Sequence, residues 1–156
     1  MISVDTVVDN IYWNRRLKRP NFFFNRIVKN FPKKFLFRAK KAKITLLLSI
    51  NRDIKKLNKR FRNKNKSTDV LSFPFMDKPN KKKNLYLGDI VISYEFMNSP
   101  RNLTDLEFQK KVIKIFIHGF LHLLNYDHLK LKDYKKMNKE EINIYNAISK
   151  KIRKFV

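Results

Sequence analysis

The sequence predicts an α+β fold in which helices are packed on a small mixed β-sheet. Three observations lead there. Strand-like runs precede and separate the helical ones, the stretch from Thr104 to about Leu124 has the apolar spacing of a core helix, and no repeat or Gly/Ser linker divides the chain. Its 156 residues have the length of one ordinary domain, so residues 1–156 are read as a single domain. Hydrophobic residues make up 43% and aromatics 13%, including 14 Phe, which is apolar material that disordered polyelectrolytes lack.

Taken in order, Ile2 to Val8 reads as a first strand. Asn21 to Phe37 carries Phe and Ile at helical spacing with a basic opposite face. A helix is expected there, with Phe22 to Phe24 serving as helix core in preference to base-stacking platforms. Lys43 to Ile50, rich in Ile, Leu and Thr, reads as a buried strand. Asn51 can cap a helix to about Arg62, with Ile54, Leu57, Asn58 and Phe61 on one side. Asp69 to Phe75 and Leu85 to Ser93 read as strands separated by a basic loop, Lys78 to Lys83. Pro74 places the first of them at a sheet edge, because proline cannot donate to a ladder. Thr104 and Glu107 form a capping box for the core helix, which Val112, Ile113, Phe116, Ile117 and Phe120 continue to about Leu124. A final helix, capped by an acidic residue, is expected over about Asp133 to Lys154.

The charge balance points to a partner. Against 13 Asp plus Glu stand 37 Lys plus Arg, a net charge of +24 spread along the whole chain, and a polyanion is the natural ligand of such a surface. Lysine far outnumbers arginine, and Asn, Ile and Phe are abundant, so AT-rich coding accounts for part of the excess; the surface would still bind phosphate backbones in a salt-dependent way. Lys33, Lys34, Lys40, Lys41 and Lys81 to Lys83 are candidate phosphate contacts, although solvation explains each one singly. The N-terminus carries Asp5 and Asp9 and no signal-peptide pattern, and the longest apolar stretch, around Ile44 to Ile50, is too short for a bilayer. A soluble cytoplasmic protein without a membrane partner is expected.

There is no cysteine, so any metal must sit on nitrogen or oxygen. All three histidines fall in the string H-G-F-L-H-L-L-N-Y-D-H, from His118 to His128. His118 and His122 are four apart on the core helix, which stacks their rings on one face. Asn125 tolerates the left-handed conformation that ends a helix, and a reversal there could bring His128 back to the same cation. Three neutral imidazoles suit one Zn²⁺ ion and leave a fourth position for water, the pattern of a catalytic site, here at the end of the core helix. The plain alternative makes His118 and His122 core or capping residues. The spacing also matches that of metzincin proteases, but the general-base Glu that follows their first ligand is replaced by Gly119, so peptide hydrolysis is disfavoured.

These residues resemble the YbeY endoribonucleases, or rRNA maturation factors, whose signature is H-G-x-L-H-L-x-G-Y-D-H. Only the Gly before Tyr-Asp differs, standing as Asn125. The resemblance extends through L-N-x-x-F-R (Leu57 to Arg62), T-D-V-L-S-F-P (Thr68 to Pro74) and L-G-D-I-V-I-S (Leu87 to Ser93), and covers about Leu57 to Glu141. Asn63 stands where the family has a second Gly; both exchanges fall at expected left-handed positions, which Asn tolerates. The resemblance implies a zinc-binding α+β fold and metal-dependent cleavage of single-stranded RNA. It further implies a role in late small-subunit (16S) rRNA 3′-end maturation and ribosome quality control, with rRNA and ribosomal proteins as partners.

On that resemblance His118, His122 and His128 hold the metal, and His118 and Arg62 are the catalytic residues. Arg62 would neutralise charge on the phosphoryl oxygens with its planar fork. Read alone, Arg62 is a solvated helix-end cation. Asp127 either orients a ligand imidazole or caps the turn before His128. Thr68, Asp69 and Ser72 either line a substrate groove or show the alternation of any half-exposed strand. Asp89 and Glu95 are further polar candidates, Asp89 for a turn or packing role. The competing function is a non-catalytic assembly factor that docks on rRNA and uses zinc to brace its fold.

Overall fold

A computed structural model describes residues 1–36, 41–75 and 84–152. Among them four strands, β1 (Ile2–Val8), β2 (Lys41–Ser49), β3 (Val70–Pro74) and β4 (Asn84–Ser93), form one sheet in the order β1-β2-β4-β3. β1 and β4 run parallel to β2, and β3 runs antiparallel to β4. The sheet is therefore mixed, and the Pro74 strand lies at its edge. The basic loop expected over Lys78 to Lys83 lies outside the described residues.

The helices are α1 (Ile11–Arg16), α2 (Pro20–Val28), α3 (Asn51–Arg62), α4 (Tyr94–Met97), α5 (Asp105–Leu123) and α6 (Leu131–Ser149), with a 3₁₀ turn at Lys33–Phe35. Alternation along the strands decides which face is covered. Ile2 and Val4 of β1, Ala42, Ile44, Leu46 and Leu48 of β2, and Leu85, Leu87, Ile90 and Ile92 of β4 join one buried cluster with the apolar sides of α2, α5 and α6. At its centre α5 buries Phe108, Phe116 and Phe120 completely. α3 covers part of the other face through a smaller cluster of Ile54, Leu71 and Val91.

Several boundaries differ from expectation for identifiable reasons. The helix expected over Asn21 to Phe37 stops at Val28: Asn30 turns back with its N–H on Ile27 O, and Pro32 offers no N–H to continue. Within it Phe23 and Phe24 are core, but Phe22 is 45% exposed under the guanidinium groups of Arg19 and Arg26. Asn51 is the first residue of α3 and not its cap; Ile50 holds that place, and the Glu95 carboxylate accepts from the Asn51 N–H at 2.9 Å. α6 begins at Leu131 behind Lys130, with Asp133 favouring the first turn through the helix dipole and not as a cap. The short helices α1 and α4 have no counterpart in the periodicity reading. α1 is held by Asn10, which accepts from Tyr12 N, and by the buried Trp13, whose Nε1 donates to Ser49 O. The capping box at Thr104 forms as expected, with both reciprocal bonds to Glu107.

Gly88 marks the point where β4 bulges against β2 between Lys43 and Ile44. Its φ of +135° is open to glycine, and a Cβ there would lie 2.2 Å from Phe73 O on the edge strand. Gly88→Ala should therefore lower unfolding stability by more than about 2 kcal/mol, combining backbone strain with overpacking. A urea titration checks this; an unchanged midpoint would contradict it.

Candidate metal centre

α5 reaches the site because its C-terminal half lies close against the sheet. Gly119 makes that approach possible: a Cβ there would come 3.0 Å from Ile90 Cγ2 and 3.1 Å from Ser72 Oγ. The Ser72 hydroxyl donates to Gly119 O at 3.1 Å, tying the edge strand to the helix. The helix then ends in a reversal in which Tyr126 N–H donates to Leu121 O and Asn125 N–H to His122 O, the two bonds of a Schellman motif. Asn125 supplies the left-handed residue with φ 64°, and at the end of α3 Asn63 is also left-handed, with φ 54°. Both positions have the conformation expected of them.

The reversal places His128 beside His118 and His122. One nitrogen from each of the three rings lies within 4.8 Å of the others, and among the described residues this is the cluster that could hold a metal ion. His118 Nδ1 faces Glu141 Oε1 at 2.6 Å, and His122 Nδ1 faces Tyr126 O at 2.9 Å. A carboxylate and a carbonyl only accept, so both Nδ1 atoms carry a proton, and in the neutral rings both Nε2 atoms present lone pairs. Those two Nε2 atoms are 3.0 Å apart. At that distance two lone pairs repel unless a proton or a metal cation is shared between them. Zn–N bonds of about 2.0–2.1 Å in a tetrahedral shell put ligand nitrogens about 3.3 Å apart, so the residues fit such an ion.

Burial of His122 disfavours its cation and pushes its pKa below the ordinary imidazole range, with His118 and His128 adding to the effect. The ring is thus held neutral, as a metal ligand must be.

The three rings open on a cavity of about 650 Å³ that Arg62, Lys64, Thr68, Asp69, Ser72 and Asp127 also line. Arg62 Nη2 donates to Ser72 O at 2.8 Å, which draws the guanidinium from the end of α3 to the edge strand. Asp127 and Asp69 make local bonds. Asp127 Oδ1 accepts from His128 N–H at 2.6 Å, a bond within the turn, while the imidazoles are oriented by Glu141 and Tyr126. Asp69 Oδ1 accepts from the Thr68 hydroxyl and from Val70 N–H. The Ser72 hydroxyl is buried against α5. Asp89 lies on the opposite sheet face from Ile90 and accepts from Tyr86, and Glu95 serves the start of α3. Among the basic candidates, Lys34 pairs with Glu140 at 2.5 Å, while Lys40 and Lys81 to Lys83 lie outside the described residues. Glu141 was not among the residues singled out from sequence, because nothing in a Glu on a charged helix marks it as facing a histidine 23 positions earlier.

A family model described as Endoribonuclease YbeY matches residues 10–149. The chain belongs to the YbeY endoribonuclease family. A Pelagibacter ubique protein named Endoribonuclease YbeY is 62% identical over 152 residues, covering 97% of this chain and 99% of its own. One of the same name from Ehrlichia ruminantium is 35% identical over 122 residues, 76% of each chain. The solution structure of a Thermotoga maritima protein superposes with a TM-score of 0.57 at 25% identity, over 99% of this chain and 93% of its own. The YbeY family match spans α1 to α6 and so contains every histidine of the cluster. Among the described residues no helix is long and apolar enough to cross a membrane.

Two predictions concern the cluster. Glu141→Ala should weaken zinc binding roughly 10- to 100-fold while the fold persists, as loss of a ligand-orienting partner does. Competition with a chromophoric chelator measures it, and unchanged affinity would sink the orienting role. The second concerns pH. Because the His122 pKa is depressed in the native state, the unfolded chain binds a proton there more readily, so metal-free protein loses stability as pH falls below about 6.5. Urea midpoints in chelator at about pH 7.5 and 5.5 should differ less in His122→Gln than in wild type; equal differences would contradict it.

Proposed function

We propose that this chain is a single-domain, zinc-dependent endoribonuclease that cleaves single-stranded RNA in the cytoplasm. Its role would lie in late small-subunit (16S) rRNA 3′-end maturation and ribosome quality control. The observation that carries this reading is the convergence of three imidazoles and Arg62 on one cavity, in a chain of net charge +24. The names of the relatives support RNA as the substrate class.

His118, His122 and His128 would hold one Zn²⁺ ion, which when bound supplies Lewis acidity and lowers the pKa of a coordinated water. The residues of the chain then have separable tasks. Glu141 and the Tyr126 carbonyl fix two of the rings, so that their Nε2 atoms stay turned toward each other, where they would be available to a metal. Arg62 has one N–H anchored on Ser72 O and further donors on the same planar fork for phosphoryl oxygens. Lys64, lining the same cavity, adds a point charge for the backbone.

Arg62→Ala should lower RNA cleavage roughly 10²- to 10³-fold, the loss typical of one preorganised charge-stabilising donor, at unchanged zinc content. Arg62→Lys should recover only part of it, because an ammonium cannot grip phosphate bidentately. The reading as a whole is tested by incubating zinc-loaded protein with single-stranded RNA beside a folded His122→Ala variant and a chelator-treated control. Metal-dependent cleavage absent from both controls is the expected result. RNA binding without cleavage under every divalent metal would instead favour an rRNA-docking assembly factor braced by its metal.

A further inference from the structure

The ligand face of α5 does not end at the histidines. Counting back from His118, Lys114 and Lys111 lie one and two turns earlier on the same side of the helix. At the helix rise these positions are about 6 Å and 10 Å from His118, the scale on which successive phosphates follow one another along a polynucleotide. Beside them is a second cavity of about 470 Å³, within the range that holds small ligands. It shares His118 and Asp69 with the first, so the two adjoin at these residues. Met97 and Ile115 contribute apolar lining. Phe96, 39% exposed, stands among its lining residues.

The charges in this cavity are ordered. Its two carboxylates belong to groups already engaged, Glu141 by His118 Nδ1 and Asp69 by Thr68 and Val70. They sit at the histidine end, where a divalent cation would offset them. The ammonium groups are further along. Lys114 Nζ stands 5.0 Å from the Tyr145 ring, and Lys111 Nζ donates to Ser99 O, so neither is committed to a carboxylate among the described residues. An apolar lining with a partly exposed aromatic ring and two cations matches a base, its ribose and its phosphate.

We propose that this second cavity is the subsite for the nucleotide adjacent to the scissile phosphate, with Phe96 stacking its base and Lys114 and Lys111 receiving successive phosphates. This rests on the endoribonuclease reading above. The cleft then runs along the whole ligand face of α5, and the RNA strand is aligned before it reaches the metal. Stacking tolerates any base, so the subsite favours unpaired nucleotides without selecting a sequence.

The test uses zinc-loaded full-length protein and a short single-stranded RNA that wild type cuts at one position, with an abasic ribose introduced in turn at each flanking position. Phe96→Ala should raise KM roughly tenfold on the intact RNA, a size set by the stacking of one base. That penalty should vanish when the abasic ribose occupies one particular flanking position, and Phe96→Trp should restore wild-type KM. Lys114→Gln should reduce the salt dependence of RNA binding by about one unit in log–log slope. Zinc content and unfolding midpoints of the variants guard against indirect effects. If wild type cleaves but Phe96→Ala matches it, or loses equally on every abasic substrate, the subsite is wrong and the nuclease reading stands. If wild type cleaves no RNA, both fall together.

Discussion

Between Gly119 of α5 and Ser72 of β3, a helix meets the edge of a sheet with no side chain intervening from the helix side. The Ser72 hydroxyl bonds to the Gly119 carbonyl, and a Cβ at Gly119 would press into Ile90 and Ser72. That close contact sets the height of the last turns of α5 over β3 and β4. His118 precedes this glycine directly, and His122 follows one turn later, so both rings emerge at the sheet margin. The same Ser72 presents its carbonyl to Arg62, and one residue of the edge strand thereby fixes the helix and the guanidinium together. Packing and chemistry are coupled at this point: the buried apolar side of α5, with Phe116 and Phe120, supplies the energy that holds its polar side in register.

The second constraint is the reversal at Asn125. A helix face can offer two imidazoles at i and i+4, but a third at a suitable angle has to come from chain that turns back. The Schellman bonds at Leu121 and His122 make that turn, and the left-handed residue they require is an asparagine. The bond from His122 Nδ1–H to Tyr126 O grows out of the same turn, so the loop that delivers one imidazole also orients another. α6 closes the arrangement by placing Glu141 against His118. The histidine cluster is thus over-determined by backbone geometry on one side and by a packed helix on the other, which is what preorganisation of a site requires.

Much of this was legible in the sequence, and the parts that were not share a cause. The strands carry alternation and β-branched residues, α5 carries a capping box and four turns of apolar spacing, and Pro74 declares an edge; each signal is local. The histidine spacing was legible because i, i+4 on a helix fixes a direction, and the two asparagines because few residues other than glycine adopt their conformation. What escaped depends on tertiary neighbours. α1 and α4 are too short for periodicity and are held by Trp13 against Ser49 and by the aromatic contacts of Tyr94. The stop at Val28 depends on how Asn30 and Pro32 combine, and the first N–H of α3 is satisfied by Glu95 from a distant segment. Glu141 reaches His118 only because α6 packs on α5, a relation that no spacing encodes.

Three imidazoles, one of them returned by the reversal, are placed to share a single cation through one nitrogen each. X-ray absorption spectroscopy of the zinc-loaded protein tests this directly. The expected spectrum shows one zinc per chain with three imidazole nitrogens at about 2.0–2.1 Å and one further light atom, falling to two imidazoles in His128→Ala. Two imidazoles in the wild type, or an unchanged shell in His128→Ala, would contradict it.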